Sequence, residues 1–284
     1  MTEPKMTEKL FYRRGKTPFY SCRADSRFSY CAYVPTTWDG SADAQFKVIV
    51  LVHGTNRTAE SYRDHYASFA EEQNCVIVAP LFPGGITAPW ELNSYKWMSV
   101  NGIRFDEILL SMLDEISEIC PIDRSKFLLH GFSGGGHFAH RFFYAQPDRL
   151  LGVSIGAPGV VSLLDFERDW WVGVNNFETY FQKSIDLEAM RRVPTQMVVG
   201  GDDKETWEIT IKPGSSNYME GANSAGVTRI DRMQSLKASF EKHGIAVRHD
   251  VIPGYAHNGI AMYPAVTQFF AGILSHSQSE NARS

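Results

Sequence analysis

Apolar residues in this chain fall into short solid runs, separated by longer stretches in which they recur every three or four positions. The runs are FKVIVLV (46–52), CVIVAPL (75–81), KFLLHGF (126–132), LLGVSIGAP (150–158), TQMVVGG (195–201) and VRHDVIPG (247–254). Such runs are what strands covered on both faces of a parallel sheet look like. Between them SYRDHYASFAEEQN (61–74), IRFDEILLSMLDEISEI (103–119), GHFAHRFFYAQ (136–146), RMQSLKASFEKHG (232–244) and MYPAVTQFFAGIL (262–274) carry the helical period. Pro147 stops the third of these, Gly244 closes the fourth, and Pro264 sits near the first turn of the last. Upstream, PFYSCRA (18–24) and FSYCAYVP (28–35) flank a turn-like DSR and predict an antiparallel hairpin ended by Pro35. Strands alternating with helices predict an α/β fold: a mostly parallel central sheet with helices on both faces and an antiparallel N-terminal edge.

Two stretches depart from the alternation. Residues 83–101 are irregular, with prolines, glycines and two tryptophans. The connection 159–193 is too long for a plain crossover and is rich in aromatics (Trp170, Trp171, Phe177, Tyr180, Phe181), which predicts helices laid over the C-terminal edge of the sheet as a cap. With no internal repeat and no separating linker, the reading is a single domain over 1–284 carrying that insertion. The last ten residues, SHSQSENARS, read as a frayed end.

Composition narrows the classes. Apolar residues make up 43% and charged residues 21%, and 28 basic against 32 acidic side chains leave a net charge of -4. No basic block could track a phosphate backbone, so nucleic acid is not an expected partner. No apolar run approaches the roughly 20 residues of a spanning helix, so no membrane is expected. The opening MTEPKMTEKLFYRRGKTPF has positive charges without a following apolar core, and the expected location is the cytoplasm. Cysteines at 22, 31, 75 and 120 show no CxxC spacing and read as small buried thiols, a Cys22–Cys31 bridge across the hairpin being the alternative.

The candidate chemistry starts at HGFSGGG (130–136). A strand that turns straight into a helix strains the turn residue and lifts its side chain out of the sheet, and the residues two before and two after must be small. Gly131 and Gly135 meet that need around Ser133, while Gly134 and Gly136 are expected to keep the solvent side open. A serine hydroxyl needs a base near neutral pKa, oriented by a carboxylate. His257, in the loop between the last strand and the last helix, lies at the sheet edge where Ser133 emerges. His137, four residues past the serine, is the weaker candidate, expected to run alongside its helix. The acid follows another strand at the same edge: Asp203, with Asp202 as the alternative, in VVGGDDKETW; Asp250, inside a strand, is the poorer choice. The negative oxygen formed by attack on a carbonyl needs preorganised donors. The N–H of Gly134 is one. The loop LVHGTNRTAES offers Thr55 or, second, Asn56, with His53 as a buttress.

Together these residues resemble the α/β-hydrolase superfamily, and more narrowly its esterase, dienelactone-hydrolase and polyhydroxybutyrate-depolymerase-like branch. The likeness rests on HG (53–54), GFSGG (131–135), GGDD (200–203), PGYAHNG (253–259) and the N-terminal YCAYVP, and spans residues 46 to 270. It implies an α/β-hydrolase fold with Ser133, Asp203 and His257 as a triad, the acid matching G-x-x-D through Gly200, and Gly134 and Thr55 as the oxyanion hole. The HGGG run of hormone-sensitive-lipase-like esterases is absent, and serine at the elbow excludes the dehalogenases of the superfamily.

The expected function is hydrolysis of a small carboxylic ester through an acyl-enzyme, with no metal and no organic cofactor. Amide or lactone cleavage by the same triad, and a catalytically silent ligand-binding protein, are the alternatives. Trp90, Trp97, Trp170, Trp171 and Trp207 crowd the segments expected to rim the site and favour a substrate with an apolar or aromatic part. Arg57 and Arg104 are the arginines placed to meet a substrate carboxylate, although each reads first as structural.

Overall fold

The computed structural model describes residues 8–281. All six apolar runs form strands, and three short N-terminal strands join them in one nine-stranded sheet among these residues. In chain order the strands are β1 (Gly15–Lys16), β2 (Tyr20–Ser21), β3 (Ser29–Val34), β4 (Lys47–Val52), β5 (Cys75–Leu81), β6 (Ser99–Val100), β7 (Ile103–Arg104), β8 (Phe127–Phe132), β9 (Leu150–Gly156), β10 (Thr195–Gly200) and β11 (Val247–Ile252). β6 and β7 make a small hairpin of their own. The others are ordered β1-β3-β5-β4-β8-β9-β10-β11, with β2 also on β3. From β5 to β11 every neighbour is parallel, and β3 lies antiparallel on β5. The expected antiparallel edge is therefore present. Its first arm is short, since Pro18 has no N–H for a ladder and splits it into β1 and β2.

The central strands β4, β5, β8 and β9 are almost wholly buried, as their unbroken apolar runs require. β11 differs. It is the outer edge of the sheet and only half buried, which explains the polar Arg248, His249 and Asp250 inside that run. All four cysteines are buried free thiols, so the Cys22–Cys31 bridge does not form.

Several helices differ from the expected bounds. The stretch 61–74 is two helices, Ala59–His65 and Ala67–Gln73, broken at Tyr66, whose ring packs on Tyr263 at 4.8 Å. The helix expected over 103–119 is Phe105–Ile116, because Ile103 and Arg104 pair with β6. The helix expected from residue 232 starts at Arg229, where Thr228 and Asp231 form a capping box. The last helix, Tyr263–Asn281, continues through most of the segment expected to fray; residues 282–284 lie outside the described part. No helix among the described residues is long and apolar enough to cross a membrane.

Two long connections lie at the C-terminal ends of the strands. The stretch 159–193 holds two short helices, Phe177–Phe181 and Leu187–Arg191. The stretch 201–228, between β10 and the helix Arg229–Lys242, holds no helix or strand.

Candidate active site

Ser133 sits at the turn between β8 and the helix Gly134–Ala145 with φ 58° and ψ -116°, a left-handed backbone that serine rarely adopts. Its N–H donates to Gly156 O at 2.8 Å, which pins the turn to β9. The glycines around it answer to steric contacts. A Cβ on Gly131 would lie 2.2 Å from Gly135 O, and one on Gly135 would lie 2.1 Å from Val52 O. Both match the strand–helix crossing read from the sequence. Gly134 and Gly136 correct that reading. They do not hold a solvent side open: their Cβ positions would meet the Tyr95 hydroxyl at 2.1 Å and Gly156 O at 2.2 Å, so all four glycines are packing sites.

The acid and the base arrive from neighbouring loops that are tied together by backbone. Gly201 N–H donates to Ile252 O at 2.8 Å, and Asp202 N–H donates to Tyr255 O at 2.9 Å. Asp203, not Asp202, turns inward. Its carboxylate is 0% exposed, accepts from His257 Nδ1 at 2.6 Å and from Arg229 Nη1 at 3.1 Å. Arg229 in turn donates to Glu208 at 2.7 Å. Asp202 points to solvent, 3.8 Å from Lys204. Asp250 is bonded to Gln196 and Arg248 within the sheet.

Facing a carboxylate, Nδ1 of His257 carries the proton and Nε2 the lone pair. Nε2 is buried and has no hydrogen-bond partner among the described residues; the link to Ser133 is not made in this structure. The imidazole lies against the ring of Phe132, the residue before the serine, with centroids 4.7 Å apart.

Ser133, Gly134 and Thr55 line one cavity of about 470 Å³. Asn56, the alternative donor, is not part of its wall. His257 borders a neighbouring hollow of about 340 Å³ with Tyr62 and Asn258. The other histidines near the elbow are committed. His53 is fully buried, donates from Nδ1 to Gly54 O at 2.8 Å and accepts the Phe82 N–H at 3.0 Å, so it buttresses the loop as expected; burial pushes it down to about 4. His137 Nε2 accepts the Val160 N–H at 3.0 Å, which removes it as a base for Ser133.

The tryptophans divide sharply. Only Trp97 lines the cavity. Trp170 and Trp171 are buried and join Trp97 in one cluster: Trp171 packs on Trp97 at 4.9 Å, Trp170 packs on Phe177 and Phe181, and the Arg141 guanidinium lies over all three indole rings. Trp90 and Trp207 are 93% and 77% exposed and stand outside the cavity wall. The expectation that all five rim the substrate site is therefore corrected: an aromatic-rich loop is as ready to pack on itself as to face a ligand. Arg57 and Arg104 are structural, bonded respectively to the carbonyls of Thr55, Phe82 and Leu92 and to Asp106 and Phe181 O.

Sequence reasoning missed three features: Arg229 behind the acid, Lys96 in the cavity wall, and the stretch 208–217 that supplies much of that wall. The T-R-I-D signature of the capping box (228–231) would have put Arg229 at a helix start. No comparable pattern marks Lys96.

No model of a known protein family matches the chain, and no curated protein does. Solved structures do. Poly(aspartic acid) hydrolase-1 from Sphingomonas sp. KT-1 is similar with a TM-score of 0.73 at 19% identity, over 90% of this chain and 98% of that one. The poly(3-hydroxybutyrate) depolymerase LpqC from Bordetella parapertussis gives 0.71 at 22% identity, over 90% of each chain. A ferulic acid esterase gives 0.60 at 14%, over 90% of this chain and 98% of that one. With the observed strand order, these likenesses establish the α/β-hydrolase fold.

Proposed function

We propose that this α/β-hydrolase-fold chain is a serine hydrolase that cleaves a carboxylic ester by acyl transfer, with Ser133 as nucleophile, His257 as base and Asp203 as the acid that orients it. The observation that carries this reading is the 2.6 Å bond from His257 Nδ1 to a wholly buried carboxylate. It fixes the tautomer and leaves Nε2 as the basic nitrogen on the ring that packs beside the elbow. Nε2 takes the Ser133 proton as Oγ attacks the carbonyl. The imidazolium so formed is stabilised by Asp203 and gives its proton to the leaving alcohol. Water, activated by the same nitrogen, then releases the acid. The N–H groups of Gly134 and Thr55 meet the oxyanion. Catalytic hydrogen bonds commonly tighten on substrate, and the Ser133–His257 bond is expected to close in that way.

Leu92, Trp97, Val160, Ile209 and Ile211 give the cavity an apolar wall and favour a substrate with an apolar portion. The similar folds include a named esterase and a poly(aspartic acid) hydrolase, so cleavage of an amide by the same three residues is the second reading. The test combines a fluorophosphonate probe with a panel of short esters, amides and lactones. A single adduct on Ser133, absent from S133A, with esters leading in kcat/KM, is the expected result. No adduct and no turnover would leave a ligand-binding protein and sink the proposal.

A further inference from the structure

Lys96 is the cation that the proposed reaction does not use. It lies in the short helix Ser94–Trp97 and is only 9% exposed, and its side chain lines the same cavity as Ser133. Its stem runs against the elbow: a Cβ on Gly134 would lie 3.0 Å from Lys96 Cε. The ammonium donates to one neutral acceptor, Asn93 Oδ1, at 2.8 Å, and among the described residues it forms no ion pair. The nearby carboxylates are engaged elsewhere. Glu91 accepts from the Asn93 N–H and from Ser94 Oγ, and Glu208 accepts from Arg229. Burial pushes Lys96 down to about 8, so it stays mainly cationic at neutral pH.

Buried charges in folded proteins are ordinarily paired, because an ammonium withdrawn from water without a counter-ion is costly. Here the missing counter-ion faces a cavity. In the wall Arg229 is already paired with both Asp203 and Glu208 and Lys212 is exposed, which leaves Lys96, among the described residues, as the buried cation of the wall without a carboxylate of its own. We propose that the site takes an ester whose acyl part carries a free carboxylate, and that Lys96 binds that carboxylate and thereby selects the substrate. The inference rests on the ester-hydrolase reading above and names the substrate class of that same site.

The experiment compares ethyl hydrogen succinate, glutarate and adipate with neutral ethyl esters of matched chain length, followed by pH-stat at neutral pH. The wild-type chain is expected to favour at least one half-ester over its neutral match by tenfold or more in kcat/KM. In K96M that ratio falls to about one, and K96R, which keeps the charge, retains most of it. Glutarate is expected to inhibit hydrolysis of a neutral ester at concentrations where glutaramide does not. Turnover of neutral esters with no preference for any half-ester overturns this inference and leaves the hydrolase reading standing. A preference that survives in K96M removes Lys96 from the role. An equal loss on both ester classes in K96M, with the ratio unchanged, assigns the lysine to the oxyanion and likewise overturns the proposal. If S133A hydrolyses the esters as well as wild type does, the hydrolase reading itself fails and this inference falls with it. Wild-type ratios and glutarate inhibition decide the matter even where a variant does not fold.

Discussion

The proposed nucleophile and its proposed base are held by different forces. Ser133 stands in the middle of the sheet, at the end of β8 between β4 and β9, where backbone meets backbone without room for a methyl group at Gly131, Gly135 or Gly136. His257 and Asp203 stand at the edge, beyond β10 and the half-exposed β11, and are held by charge and hydrogen bonds: His257 to Asp203, Asp203 to Arg229, Arg229 to Glu208. A steric interlock has one arrangement, whereas a chain of side-chain bonds can adjust by tenths of an ångström. The unmade link, from Nε2 to Ser133, lies where the two arms meet. The adjustment on substrate binding accordingly belongs to the edge arm.

The largest effect should come from the rigid arm. S133A is expected to lose about 10⁴-fold or more in kcat/KM, with its thermal melt unchanged because the removed hydroxyl opens no core cavity. A variant that unfolds would mean that the serine is packing rather than presenting its hydroxyl. On the other arm, D203N should cost about 10³- to 10⁴-fold through the wrong imidazole tautomer. D202N, which loses only an exposed contact to Lys204, should stay within about twofold. Steady-state kinetics on one ester compares the two, and the reverse order would move the acid by one residue.

The same contrast governs what the sequence revealed. Steric demands leave strong marks: glycine two residues either side of a serine, after an apolar run and before a helical period, located the elbow and nearly all of the sheet. Edge features leave weak ones. The apolar Val247, Val251 and Ile252 suggest a buried strand, yet β11 lies at the edge with Arg248 and Val251 exposed and Asp250 partly buried, a pattern without the period of two. The Asp203–Arg229 pair joins positions 26 apart through an irregular loop, and no local period encodes such a contact. Lys96 escapes for a related reason: it lies in the irregular stretch 83–101, and its stem lies against Gly134 in a distant part of the chain, a contact that no local period encodes. The tryptophan expectation failed differently. Sequence shows that aromatics are many but not which of them face one another.

Acid should loosen the serine arm in particular. Burial pushes His53 and His130 down to about 4, and it holds His137 and His140 well below the usual imidazole value; all four flank the elbow. Neutral in the native chain, they take up protons when unfolded below the ordinary value near 6.5. Stability from them is therefore complete above about pH 6.5 and is lost as pH falls toward about 4, on the order of 3 kcal/mol apiece for His53 and His130. Urea unfolding at pH 7, 5.5 and 4.5 reads the slope. A flat dependence would place these imidazoles in contact with water and weaken the contrast between the arms.

A smaller effect is expected one bond further from the reaction. Arg229 fixes the second oxygen of Asp203 and touches no reacting atom, so it positions the acid. R229M is expected to lower kcat about tenfold, the value of one hydrogen bond to a charged group, with KM little changed and R229K recovering part of the loss. A rise in KM alone would place the guanidinium in substrate binding, since it also borders the cavity.

The smallest effects mark where the site ends. Trp90 and Trp207 are exposed and stand outside the cavity wall, while Trp97 lines it. W90A and W207A should thus stay within about twofold in kcat/KM for an apolar ester, and W97A should lose about five- to tenfold by exposing the acyl pocket to water. The informative failure is W207A. It stands next to Glu208 and Ile209, both in the cavity wall, in the long connection that holds no helix or strand. A loss in W207A as large as in W97A would show that this connection folds its tryptophan onto the substrate. The edge arm would then move by more than the tenths of an ångström that its hydrogen bonds allow, and the division between a fixed nucleophile and an adjustable base would widen into one between a fixed floor and a closing wall.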